Sequence, residues 1–175
     1  MQLRVNSAVS LLAAAVAACA PALDWREVRP DGTGLVALFP CKPDRQVRRL
    51  PLAGTIVEMS LWACTAAGAT YAMGFADVAE PDRVDRGLDE LADAAARNIG
   101  SLGSAGSGQL SVAGMTPNPR ARRLTLAGQM ADGVAVHESV AVFARGTRIY
   151  QATIVGARLD DAAVEAYFGS LRLPT

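Results

Sequence analysis

Between Thr55 and Val78 the chain reads TIVEMSLWACTAAGATYAMGFADV, two alternating runs separated by Ala66-Ala67-Gly68. Alternation of this length has the period of a β-strand, and a short glycine-containing break between two such runs marks a hairpin. Val57, Met59 and Leu61 fall on one face, with Glu58 and Ser60 on the other. Trp62 and Cys64 share the face opposite Val57 and Met59, and on the returning run Tyr71, Met73 and Phe75 lie together. Such a hairpin must bury its apolar side against another element, so it demands a covered sheet.

The rest of the chain supplies that cover. Trp25 to Val28 alternates, Pro30-Asp31-Gly32-Thr33-Gly34 has turn chemistry, and Leu35 to Phe39 reads as a buried strand stopped by Pro40 and Pro43. In residues 82–99 the period changes to that of a helix, with Val84, Leu88, Leu91, Ala92, Ala95 and Ile99 on one stripe. Asp82 after Pro81 is the expected N-cap, and Gly100 ends the helix. Residues 100–108, GSLGSAGSG, read as a flexible glycine-serine link. Arg120–Leu126, Val134–Phe143 and Arg148–Val155 alternate as strands, with Asp132-Gly133 and Arg145-Gly146-Thr147 at the turns. Asp160-Asp161 caps a final short helix whose Val164, Tyr167 and Phe168 face inward. The expected fold class is α+β: an antiparallel β-sheet with helices packed on it, an α/β/α sandwich.

The N-terminus carries an address. Arg4 precedes the uncharged stretch Ala8–Ala18, which has the length of a secretory h-region and is too short to span a bilayer. The end of this run, Val16-Ala17-Ala18-Cys19, resembles the bacterial lipobox, which implies diacylglyceryl transfer to the Cys19 thiol and cleavage before it. Ala18-Cys19-Ala20 also fits an ordinary A-x-A site, but that cut would leave Pro21 first. Residues 1–18 are thus expected to be a signal peptide, 19–24 a lipid-proximal tether, and 25–175 one α+β domain. Two or more acyl chains anchor stably where one does not. The expected location is the bacterial envelope, facing the periplasm. Since position 20 is Ala rather than Asp, the outer membrane is favoured by resemblance to enteric sorting.

With Cys19 lipidated, Cys41 and Cys64 remain. An even pair in an oxidising compartment reads as a disulfide, joining the Pro40–Pro43 corner to the back of the hairpin. The formal net charge is +0, so no global field attracts nucleic acid.

WREVRPDGTGLVALFPCKP near the start and RIYQATIVGARLDDAAVEAYFGSLRL at the end together resemble a loose bacterial envelope pattern. A strand there ends in F-P-x-K-P, and a closing strand with a tyrosine precedes a short helix and S-x-R-L. The domains of that pattern are similar to the PsbP-like fold, an antiparallel sheet between helices. The matching positions, Phe39, Pro40, Lys42, Pro43, Tyr150 and Phe168, are structural, and the resemblance supplies no active site.

Chemistry is sparse. His137, the only histidine, sits mid-strand with Ser139 and Ala141; neither G-x-S-x-G nor H-E-x-x-H is present. A hydrolase would need a carboxylate and a hydroxyl within hydrogen-bond reach of that imidazole. Arg45, Arg48 and Arg49, with Arg120, Arg122 and Arg123, form two basic runs that on strands would line an anion-binding face; such a binder predicts a pocket holding at least two of them. No cofactor or metal site is indicated and no catalytic residue is named. The leading expectation is a lipid-anchored envelope protein acting by binding, as an accessory or assembly factor for an envelope protein partner. The alternative is a periplasmic small-ligand or anion binder.

Overall fold

The computed structural model describes residues 23–101 and 103–174; the signal peptide and Cys19 lie outside them. Among the described residues nine strands and two helices follow in chain order. They are β1 (Arg26–Val28), β2 (Ala37–Phe39), β3 (Asp44–Leu52), β4 (Thr55–Ala66), β5 (Ala69–Asp77), α1 (Val84–Asn98), β6 (Ser104–Gln109), β7 (Arg122–Gln129), β8 (Ala135–Arg145), β9 (Arg148–Gly156) and α2 (Asp161–Gly169). Strands β3 to β9 form one antiparallel sheet in the order β3-β4-β5-β9-β8-β7-β6, and β1 pairs with β2 apart from it. The fold is α+β, with most of its regular structure in the sheet.

Two-residue turns build the sheet from hairpins. Ala53-Gly54 joins β3 to β4 and Ala67-Gly68 joins β4 to β5, all four residues at positive φ. Paired positive φ values match the twist of the flanking strands, which is why such turns close two-residue hairpins. The meander β3–β5 and the meander β6–β9 meet where β5 pairs with β9, placing Phe75 opposite Tyr150.

The sheet's two faces carry separate cores. On one face Tyr71, Met73, Phe143, Tyr150 and Ile154 pack against α2 residues Val164, Tyr167 and Phe168 and against Leu35 and Phe39. The ring of Tyr150 stacks on that of Phe143 at 5.1 Å, and its hydroxyl donates to Thr33 O at 2.7 Å in the Pro30–Gly34 turn. The hydroxyl of Tyr167 donates to Ala72 O at 2.7 Å, so both buried tyrosines satisfy their polar ends on backbone. On the other face Val78, Val140, Val142 and Ile149 pack beneath α1 residues Leu88, Leu91, Ala92 and Ala95.

The disulfide joins Cys41 to Cys64 with Cα atoms 6.0 Å apart, tying the corner after β2 to β4. At α2, the Asp160 side chain accepts from Ala163 N at 2.8 Å, the expected N-cap. Asp82 does not cap α1. It lies in a 3₁₀ turn, Pro81–Arg83, and α1 begins after Arg83 with no side-chain cap. Proline at the first position of that turn fixes φ and starts the winding one turn early. The glycine-serine stretch is not a link outside the sheet, because Ser104–Gln109 forms edge strand β6 on β7, with a bulge between Ser104 and Gly106. Backbone pairing needs no side chain, and an edge tolerates residues with little to bury. Among the described residues no helix is long and apolar enough to cross a membrane.

Candidate functional site

Strand β8 is the place to begin. Its sequence AVHESVAVFAR puts Val136, Glu138, Val140 and Val142 on the α1 face, and His137, Ser139 and Phe143 on the α2 face. A carboxylate therefore occupies a valine stripe. Across the ladders Glu138 stands opposite Leu126 of β7 and Val155 of β9. It is only 4% exposed, and its Oε2 atom has no hydrogen-bond partner among the described residues. Desolvation disfavours the charged form, and burial pushes the Glu138 carboxyl up to about 7. An unpaired carboxylate in apolar surroundings lowers stability, so its presence marks a candidate site.

Glu138 lines a cavity of about 410 Å³ on this face, within the roughly 300–1,000 Å³ of small-molecule sites. The floor is the sheet itself: Met59 and Leu61 from β4, Ala72 and Gly74 from β5, Gln151 and Thr153 from β9. A Cβ at Gly74 would lie 2.5 Å from Met59 Cε, so glycine there lets the methionine lie across the floor. Asn98 and Ile99, at the C-terminal end of α1, form one wall with Met130, which is 45% exposed. Arg48 and Leu50 of β3 close the far side.

Helix α1 is held at its middle and at its C-terminal end, which fixes that wall. At its middle Glu90 accepts from Arg86 Nε at 2.6 Å and from Ala53 N at 2.7 Å in the β3–β4 turn. These bonds hold the Glu90 carboxyl below the usual carboxylate range. At its end Ile99 O accepts from Gln129 N at 2.7 Å. Helix α1 rests on β8, β9 and β7, and the part of this face at Met59, Leu61, Ala72 and Gly74 borders the cavity.

The six arginines do not share a face. Arg120 and Arg122 each bridge Asp89 of α1 at 3.0 Å. Arg123, on the opposite face, pairs with Glu165 at 2.9 Å, donates to Ser139 Oγ at 3.1 Å and lies 4.4 Å over the Phe168 ring. Arg45 sits 5.5 Å over the Trp62 ring. Arg48 donates to Gln46 Oε1 at 3.2 Å, and Arg49 is exposed. Arg48, Arg122 and Arg123 line three different concavities. The pocket with two of these arginines, predicted for an anion binder, is not found among those concavities. Strand alternation explains the separation, since residues one apart point to opposite faces.

His137 is exposed, in a cleft with Arg123, Ser139, Asp161 and Glu165. Its imidazole makes no hydrogen bond among the described residues, and Ser139 Oγ is engaged by Arg123 instead. The carboxylate-and-hydroxyl pair a hydrolase would need is not assembled on it. Among the described residues no group of three or more His, Cys, Asp or Glu side chains is placed to hold a metal ion. Cys19 lies outside the described residues.

Glu138 is the residue that a motif search misses, because it belongs to no motif. Its signal is the alternation V-x-E-x-V-x-V, which places one acid among inward valines. Neither a protein-family model nor a curated protein sequence matches the chain.

Proposed function

We propose that the chain is an exported, lipid-anchored envelope domain that acts by binding, and that it binds at the open cavity on the α1 face. One observation carries the choice of site: a 4% exposed, unpartnered carboxylate in an apolar cavity open to solvent. A few polar groups converging in a largely apolar concavity fit ligand binding without bond chemistry. Most of the lining around Glu138 is apolar, and this favours a binder. Of the two binding roles expected, the cavity favours a small ligand over an assembly partner. An antiparallel sheet with a helix on each face is consistent with the PsbP-like resemblance, and a disulfide suits the exported compartment that the lipobox-like VAAC implies.

Two measurements test the proposal. Intact mass of protein from the membrane fraction should show a diacylglyceryl group and an acyl chain, both lost in Cys19→Ser; an unlipidated chain beginning at Pro21 would remove the anchor. Native mass spectrometry of the extracted protein should show a bound small molecule that Ala72→Trp, filling the cavity floor, expels. Equal occupancy in that variant would place binding elsewhere.

A further inference from the structure

The lining of the α1-face cavity selects the chemistry of what enters it. Resting on the binding role proposed above, we infer that the occupant is an elongated apolar cation, a primary alkylammonium with its head group on Glu138 and its chain across Met59 and Leu61. The Glu138 carboxylate, when ionised, only accepts hydrogen bonds, and its Oε2 atom is buried without a donor. A primary ammonium brings three N–H donors and the opposite charge, and a charge-assisted bond of this kind is about twice as strong as a neutral one.

An anionic head group would meet the like charge of the Glu138 carboxylate. The cavity's guanidinium is elsewhere: Arg48 is on β3, and in the order β3-β4-β5-β9-β8 it stands four strand spacings from Glu138, roughly 19 Å at about 4.8 Å each. Arg48 is also already bonded to Gln46. Between the two lie Met59, Leu61, Ala72 and Gly74, which offer an apolar track for a chain. A neutral alcohol would satisfy the buried oxygen but not its charge.

Calorimetric titration of the purified protein with decylammonium, decanol and decanoate, each below its aggregation concentration, separates these chemistries. Decylammonium is expected to bind one to one, with decanol and decanoate at least tenfold weaker. Glu138→Gln should lower decylammonium affinity at least tenfold while leaving decanol unchanged, and Ala72→Trp should abolish binding of all three. Should Glu138→Gln not fold, by circular dichroism, Glu138→Leu serves the same comparison. If decanol or decanoate binds as tightly as the amine, or if Glu138→Gln binds it equally well, the cation assignment is overturned while the cavity remains a binding site. If none of the three binds, the cation assignment falls. If binding persists unchanged in Ala72→Trp, the cavity reading falls with it.

Discussion

Glu138 shows how a single side chain can set the energetics of a face. Its carboxyl has an ordinary value of 4.5 and reaches about 7 in the folded protein. Between those values the folded chain holds a proton that the unfolded chain has released. The contribution is therefore fully present below about 4.5 and is lost as pH rises through about 7. At about 1.36 kcal/mol per pKa unit, the loss is about 3 kcal/mol. Glu138→Gln, uncharged and of the same shape, should remove this slope and raise the melting temperature at pH 8 by up to about 6 to 12 °C. At pH 4 it should change little. Thermal melts of both proteins at the two pH values check this, and parallel profiles would show that the buried carboxyl does not govern the slope.

Elements meet most tightly where a glycine removes a side chain. A Cβ at Gly128 would lie 1.9 Å from Ile99 O, the carbonyl that accepts from Gln129 N. Because the obstacle is backbone, Gly128→Ala must push the end of α1 away from β7. Overpacking of this kind costs about 1–3 kcal/mol, and displacing Ile99 should also weaken binding in the cavity it lines. Gly108→Ala is the matched control, since nothing lies within 4 Å of its Cβ position. It should change stability by no more than about 0.5 kcal/mol. Urea denaturation of both variants tests the difference, and equal midpoints would mean that α1 adjusts without cost. The edge strands show why element reading had limits. β3 is exposed along most of its length, so no apolar alternation announced it, and β6, Ser-Ala-Gly-Ser-Gly-Gln, has no apolar alternation either.

For the whole molecule the Cys41–Cys64 bond has the longest reach. Its cysteines are 23 residues apart, and closing a loop of that length stabilises by roughly 3 kcal/mol through the unfolded state. It fastens the β1–β2 pair and the corner after it to the main sheet, where Leu35 and Phe39 enter the α2-side core. A Cys41→Ala/Cys64→Ala variant should unfold at lower urea, with reductant causing the same shift in the parent and none in the variant. A parent indifferent to reductant would contradict a structural role. One core packs under α2 and one under α1, and Cys64 packs against the first.

The sequence by itself determined the hairpin at Thr55–Val78, the central helix, the cap at Asp160 and the pairing of Cys41 with Cys64. Each depends on local period, on a turn or cap residue, or on having one possible partner. Tertiary structure decided the strand order, and with it everything that depends on which strands are neighbours. Only the pairing of β5 with β9 joins the two meanders into one sheet. That joined sheet makes the cavity floor, separates Arg48 from Arg122 and Arg123, and encloses Glu138 between Leu126 and Val155. Burial and charge environment are sums over residues distant in sequence, so a one-dimensional pattern carries the acid among the valines without saying what surrounds it.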